Sequence, residues 1–230
     1  MTARVGVVLF PGTNCEQDVC EAVEELGASA EILWHGDATT NGVDAIVVPG
    51  GFAHGDYLRT GAIARFSPVM DAVREFAAGG GPVVGICNGF QVLTEAQLLP
   101  GALQKNAGLK FLCETVEIRV ETSTTVLTNQ AERGAVLRIP INHFEGNYVC
   151  DAMTLERLRA DDRVVVRYVS NPNGSLDEIA GVCSEARNVV GLMPHPERAS
   201  DRILGSDDGV VLLRSLLAAA SGDAAIARSA

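Results

Sequence analysis

The stretch Gly81-Pro82-Val83-Val84-Gly85-Ile86-Cys87-Asn88-Gly89-Phe90-Gln91-Val92-Leu93-Thr94-Glu95 changes its period halfway along. Pro82 to Ile86 is a short apolar run, rich in β-branched residues and opened by glycines, which is the pattern of a buried parallel strand. From Asn88 to Glu95 the spacing turns helical, with Phe90, Val92 and Leu93 on or near one face. Cys87 stands at the switch, between Gly85 and Gly89. The segment therefore reads as a nucleophile elbow, in which small neighbours let a sharp strand-to-helix turn hold the side chain out. A sulfur there meets the N-terminus of a helix, where unpaired N–H groups and the positive dipole end favour thiolate over thiol. The N–H of Asn88, the next residue, is the natural donor to an oxyanion. Free cysteines most often pack as core; the strand-to-helix switch argues for a nucleophile and requires a base from elsewhere in the chain.

Around the elbow, strands and helices alternate. Val5 to Phe10 is a continuous apolar run broken by Pro11-Gly12-Thr13-Asn14. A helix is predicted from about Cys15 to Leu26, stopped by Gly27. Ser29 to Trp34 and Asp44 to Pro49 read as further strands, and a second helix covers roughly Pro68 to Ala78. Strands separated by helical patterns imply right-handed βαβ units, hence an α/β fold with a flavodoxin-like open sheet, mainly parallel, and helices on both faces. From Phe111 onward, Cys113 to Val120, Thr124 to Leu127 and Ala135 to Ile141 alternate, which predicts an added antiparallel β region. Thr154 to Arg159 reads as a helix, Val164 to Val169 as a strand, and Ile179 to Cys183 with Val189 to Met193 as a hairpin. The last helix is predicted over Gly209 to Ala219, trailing into a tail expected to fray. No repeat, low-complexity linker or boundary interrupts the pattern, so residues 1–230 are expected to form one domain.

Composition excludes several classes. At 230 residues, 47% hydrophobic and 20% charged, the chain can bury a substantial core. No run approaches the ~18 uncharged apolar residues of a membrane span. A net charge of −11 argues against a phosphate-backbone surface, so no nucleic acid is expected as a partner. The chain opens Met-Thr-Ala-Arg and runs straight into a strand without a secretory signal, which predicts the reducing cytoplasm. The six cysteines (Cys15, Cys20, Cys87, Cys113, Cys150 and Cys183) form no Cys-x-x-Cys pair, so neither a disulfide framework nor a metal site is expected. Asn173-Gly174-Ser175 is read as part of a turn rather than a glycosylation acceptor. There is no Walker A sequence and no dinucleotide Gly-x-Gly-x-x-Gly.

Active sites of open α/β sheets lie at the carboxyl ends of the strands, which singles out two more loops. Pro49-Gly50-Gly51-Phe52 follows the third strand, and its paired glycines either make an ordinary turn or bring a second oxyanion donor, from Gly51 or Phe52, close to a ligand. Met193-Pro194-His195-Pro196-Glu197-Arg198 follows another apolar run. Each proline restrains the residue before it to extended geometry, so His195 and Glu197 are expected to project to the same side, the carboxylate orienting the imidazole as base. His54 lies beside the Gly-Gly loop and His143 beside Glu145.

Gly-Ile-Cys-Asn-Gly-Phe-Gln with the later Pro-His-Pro-Glu resembles the class I (triad) glutamine amidotransferases. Four blocks narrow the resemblance to the glutaminase subunits of phosphoribosylformylglycinamidine synthases: Pro49 to Arg59, Asn142 to Tyr148, Asn171 to Ser175, and Met193 to Arg198. It covers nearly the whole chain apart from the last ten or so residues. The resemblance implies that Cys87 attacks the side-chain amide of glutamine, that His195 and Glu197 complete the triad, and that Gly51, Phe52 and Asn88 form the oxyanion hole. It also implies substrate contacts at Gly50, Gln91 and His143, although spacing alone makes Gln91 either a pocket wall or a packing residue. No cofactor is implied for this chain. ATP and Mg belong to a separate synthetase subunit, which uses the ammonia to amidate formylglycinamide ribonucleotide in purine synthesis, with a small accessory subunit in many bacteria. Phe52 to Arg59 and Arg198 are the expected docking surface. The chain departs from the family pattern at Phe144, where glycine is expected, and at Ala53-His54, where Ser-Tyr is usual. The same elbow also serves thiol hydrolases of the DJ-1/PfpI type, whose histidine generally follows soon after the cysteine, and glutaminase components of other pathways.

Overall fold

In the computed structural model, which describes residues 2–222, the apolar runs of the first half become parallel strands. β1 (Arg4–Leu9), β2 (Ser29–Trp34), β3 (Ala45–Val48) and β4 (Val83–Ile86) lie in the order β2-β1-β3-β4. Every residue of β3 and β4 is buried, as in strands covered on both faces. Helix α1 (Glu16–Glu25) connects β1 to β2, and α2 (Pro68–Ala78) connects β3 to β4. The two connections step in opposite directions across the sheet, so right-handed crossovers put the helices on opposite faces. α1 buries Val19, Ala22 and Val23, while α2 opens on Pro68, whose fixed φ and missing N–H suit a first helical turn.

Helix α3 (Asn88–Glu95) leaves β4 through Cys87, which has φ +51° and ψ −106°. That conformation is strained for any residue with a Cβ. The neighbouring glycines allow it. A Cβ on Gly89 would stand 1.8 Å from the Val48 carbonyl oxygen, and one on Gly85 would stand 2.6 Å from the Leu93 side chain. Helix α3 therefore rests directly on the backbone of β3 and β4.

The second half adds β5 (Ala102–Gln104), β6 (Leu112–Val120), β7 (Val136–His143), β8 (Asn147–Val149), α4 (Ala152–Ala160), β9 (Val164–Tyr168), β10 (Ile179–Cys183), β11 (Val189–Leu192) and α5 (Val210–Ala220). β11 lies parallel to β4, and β10, β9, β6 and β7 follow it antiparallel, so the added region continues one nine-stranded sheet, β2-β1-β3-β4-β11-β10-β9-β6-β7. Strands β5 and β8 pair separately. In a flat sheet β7 would lie about 19 Å from β11. Instead the N–H of His195, just past β11, donates to the Pro140 carbonyl of β7 at 2.9 Å. Strand twist has accumulated into a curl that folds the antiparallel half back over the carboxyl ends of the parallel strands.

One expected strand does not form. Residues Thr124 to Leu127 lead into a turn, buried from Thr125 onward, in which the Leu127 N–H donates to the Thr125 hydroxyl (3.2 Å) and that hydroxyl meets the one on Thr128 at 2.7 Å. Threonine hydroxyls that satisfy nearby backbone groups compete with a strand ladder, and here they win. The expected frayed tail lies beyond residue 222, outside the described residues.

The clearance at the elbow gives a direct test. Gly89→Ala is expected to cost more than ~3 kcal/mol and to lower the melting temperature by at least ~8 °C. Gly108→Ala, whose added Cβ meets nothing within 4 Å, is expected to leave it within about 2 °C. Calorimetry of the two variants decides it; equal melting temperatures would contradict the packing described.

Candidate active site

The loops after β1, β3, β4 and β11 meet at the carboxyl edge of the sheet, around a cavity of about 190 Å³ whose walls include Cys87 and His195. His195 and Glu197 are each only 1% exposed, and His195 Nδ1 lies 2.6 Å from Glu197 Oε1. They do not meet on an extended chain. Pro196 to Ala199 forms a 3₁₀ turn, and His195 precedes it with φ −103° and ψ 87°. The tight turn brings Glu197 back under the imidazole, and the Ser200 hydroxyl holds it by donating to the Glu197 carbonyl at 3.0 Å. Burial alone would push the His195 pKa down, but the charges of Glu197 and Cys87 outweigh it and hold the imidazole well above its usual range. The sulfurs of Cys87 and Cys15 both act on the ring, although Nε2 makes no well-aligned hydrogen bond. The Cys87 thiol donates instead to the Asn142 carbonyl of β7, at 3.7 Å.

Gly50 is the point where the backbone comes close to Cys15, Cys87 and His195 together. A Cβ there would lie 2.7 Å from His195 Cε1, 3.0 Å from Cys15 Sγ and 3.5 Å from Cys87 Cβ. Its carbonyl accepts from the N–H groups of Asn14 and Cys15, both at 3.2 Å. Gly51 follows with φ +144°, a conformation in which an added Cβ would sit 2.5 Å from the Asn14 nitrogen. Of the two loop donors considered from sequence, Phe52 is ruled out by its partner: its N–H donates to the Gly12 carbonyl at 2.8 Å. The Gly51 N–H has no hydrogen-bond partner among the described residues. Asn88 begins α3, so its backbone N–H has no partner within the helix. Its side chain ties the elbow to this loop, with Oδ1 accepting from the Ala53 N–H (3.0 Å) and Nδ2 donating to Asp56 Oδ1 (3.1 Å) and Gln91 Oε1 (2.8 Å). Gln91 satisfies both of its sequence readings, because it lines the cavity while its amide clamps Asn88 and the Glu145 carbonyl.

His143 also lines the cavity. Asn106 donates from Nδ2 to the carbonyls of Lys110 (2.9 Å) and His143 (3.0 Å), so its Oδ1 is the acceptor facing His143 Nδ1 at 3.1 Å. That network assigns the imidazole proton to Nδ1 and leaves Nε2 a bare acceptor, buried and without a partner. Burial, with the neighbouring His195 charge, pushes the His143 pKa down to about 4. Of the departures from the family pattern, Phe144 lines the cavity, whereas His54 turns to the Ser67 hydroxyl (3.3 Å) and packs on Phe10 and His35.

The sequence reading missed the company His195 keeps on its other side. Cys15, Asp18 and Arg198 form a buried-to-half-buried group in which the Arg198 guanidinium donates to Asp18 Oδ2 (2.9 Å) and to the Cys15 sulfur (3.2 Å). Arg198 therefore lines the cavity, with its side chain still partly exposed. Cys15, His195 and Glu197 offer donor atoms within 4.8 Å of one another, yet the guanidinium against the Cys15 sulfur puts positive charge where a metal cation would have to sit. The available signal was topological: Cys15 opens the helix after β1 and so had to lie on the same sheet edge as Cys87. All six cysteines are free.

Residues 2–207 match the model of the CobB/CobQ-like glutamine amidotransferase domain. The chain belongs to that family. The match spans Cys87, His195 and Glu197. A relative from Rubrobacter xylanophilus, named phosphoribosylformylglycinamidine synthase subunit PurQ, is 59% identical over 217 residues, covering 94% of this chain and 99% of its own. One of the same name from Koribacter versatilis is 54% identical over 226 residues, covering 94% and 98%. Among solved structures, a chain of PurLQS from Thermotoga maritima superposes with a TM-score of 0.87 at 42% identity, covering 94% of this chain and 98% of that one. A putative GMP synthase component from Thermoplasma acidophilum shares the fold at a TM-score of 0.67 and 15% identity, with 97% and 96% covered.

The depressed His143 pKa makes stability depend on pH in a definite direction. The native value of about 4 lies below an unfolded value of ~6.5, so between them the unfolded chain binds more protons and stability falls as pH falls. From pH 7.5 to 5.0 His143 is expected to withdraw ~2 kcal/mol. Urea unfolding at both pH values should show His143→Gln losing less stability over that interval than the wild type by about this amount, and an identical loss would refute the assignment.

Proposed function

We propose that this chain is the glutaminase subunit of a phosphoribosylformylglycinamidine synthase. It hydrolyses glutamine to glutamate and ammonia, and the ammonia passes to an ATP-dependent synthetase subunit that converts formylglycinamide ribonucleotide to formylglycinamidine ribonucleotide in de novo purine biosynthesis. The observation that carries this reading is the Cys87 elbow set beside the buried His195–Glu197 pair, in a chain 59% identical across nearly its whole length to a relative of that name.

In this mechanism the Cys87 sulfur attacks the carboxamide carbon of glutamine. The developing oxyanion accepts hydrogen bonds from the N–H groups of Gly51 and Asn88, and losing one such donor typically costs a factor of ~10² to 10³ in rate. His195 carries the proton to the departing nitrogen, so that ammonia leaves and a γ-glutamyl thioester remains. Water, deprotonated by the same imidazole, then attacks the thioester; glutamate leaves and the thiol is restored. Glu197 holds the ring in register and balances its charge throughout. No cofactor is needed in this chain; ATP and Mg act on the synthetase partner. The relevant assembly includes that synthetase and a small accessory protein, in the cytoplasm. The exposed side chains of Tyr57 and Leu58, between the cavity-lining residues Asp56 and Thr60, support docking of the synthetase through the segment after β3.

Labelling with a glutamine-mimicking diazoketone, followed by peptide mapping, tests the reading. One thioether adduct, formed with loss of N2, is expected on Cys87, and none in Cys87→Ala. His195→Ala is expected to slow both labelling and glutamine hydrolysis by at least ~10³-fold. Modification of Cys15 in place of Cys87, or labelling undiminished in His195→Ala, would overturn the assignment.

A further inference from the structure

Two carboxylates line the Cys87 cavity that the amide chemistry leaves unused. Asp56 Oδ1 accepts from Asn88 Nδ2 at 3.1 Å, and Glu145 Oε2 accepts from the Thr60 hydroxyl at 3.0 Å. The nearby arginines serve other acids: Arg59 and Arg65 pair with Glu95, and Arg198 pairs with Asp18. Among the described residues, Arg198 is the sole arginine or lysine in the cavity lining. The loop that presents Asp56 is strained, with His54 at φ +52°, Asp56 at +52° and Leu58 at +72°, conformations that cost of order 1 kcal/mol each. A second and independent feature of the same cavity points to a donor-bearing ligand: His143, 4% exposed, has a bare Nε2 acceptor with no partner among the described residues. These walls offer acceptors and negative charge, and the complement they lack is a cation with several N–H groups.

We propose that Asp56, with Glu145 beside it, is the counter-charge for the α-ammonium group of the substrate, and makes the site select amides of α-amino acids over amides lacking that group. The inference rests on the glutaminase reading and deepens it. Asn88 makes the link geometric: its backbone N–H serves the reacting end of the substrate, while its side chain fixes the carboxylate that receives the other end, four bonds away. Asp56 and Glu145 are half-buried, and a site built around a partly desolvated charged partner discriminates against a substrate that leaves it unpaired.

Burial, with the adjacent Glu145 charge, raises the Asp56 pKa to about 6. The other titratable or charged groups at this cavity are Cys15, Cys87, His143, Glu145, His195 and Arg198, with His54 on the Asp56 loop. Above about pH 6 the carboxylate is charged and holds the ammonium; below it Asp56 is protonated, and KM for glutamine rises.

The test compares L-glutamine with glutaramate, the same amide without the α-amino group, on the full chain assembled with its synthetase. The wild type is expected to favour glutamine by at least ~100-fold in kcat/KM. In Asp56→Asn, kcat/KM for glutamine is expected to drop ~10- to 100-fold, mainly through KM, while that for glutaramate stays within ~3-fold. Equal losses on both substrates would reduce Asp56 to a brace for the elbow and overturn the proposal, as would an unchanged preference. The wild-type preference needs no variant, and it should shrink as pH falls through about 6; a preference flat from pH 7.5 to 5.5 would also overturn it. A wild type that hydrolyses neither amide would defeat the glutaminase reading itself.

Discussion

The site depends on how closely α3 approaches the strands beneath it. With only hydrogen at position 89, the helix backbone sits against the Val48 carbonyl, and Cys87 is forced through a conformation that side chains normally avoid. The cost of that strain is borne by the sheet: β3 and β4 are buried on both faces, and their close packing over-determines the turn. Because the elbow is rigid, the first N–H of α3 and the side chain of Asn88 are rigid too. From that one residue the structure reaches to the Gly50-Gly51 loop, to Gln91 and to Asp56. Positioning at the site is thus a property of backbone contact more than of side-chain packing.

Two buried histidines line one cavity under opposite electrostatic control. His195 is flanked by Glu197 and two sulfurs, and these outweigh the burial that would otherwise neutralise it. His143 has only the neutral Asn106 amide as its partner, so burial dominates and the ring stays uncharged. Environments that push similar groups apart are what allow one to move protons while the other serves as a fixed acceptor. The Asp18–Arg198–Cys15 contacts extend the first environment outward, and the guanidinium keeps it from becoming a cation site.

The curl of the sheet closes the site. Were the nine strands flat, Asn142 and His143 would lie far from the elbow; curled, β7 supplies the carbonyl that receives the Cys87 thiol, the carbonyl that receives the His195 N–H, and the His143 wall. The antiparallel region is therefore the roof of the cavity, built from the same hydrogen-bonded ladder as the parallel floor.

Much of this was legible in the residues themselves. The bounds of β2, α2 and α3 follow from residue period and from Gly and Pro punctuation, because side chains alternate along a strand and recur every three to four residues along a helix. Cys87, His195 and Glu197 were legible because each sits beside glycine or proline at a strand end, a local signal. Even so, the geometry that joins His195 to Glu197 is a 3₁₀ turn and not an extended chain, and the Thr124–Leu127 segment chose hydroxyl-capped turns over a strand. Tertiary structure alone decided that the Gly51 amide has no partner among the described residues while that of Phe52 is taken, that His143 carries its proton on Nδ1, and that Cys15, Asp56 and Arg198 share the cavity with Cys87. Those facts depend on partners up to 183 positions away, as between Cys15 and Arg198, and such pairings leave no periodic trace along a chain.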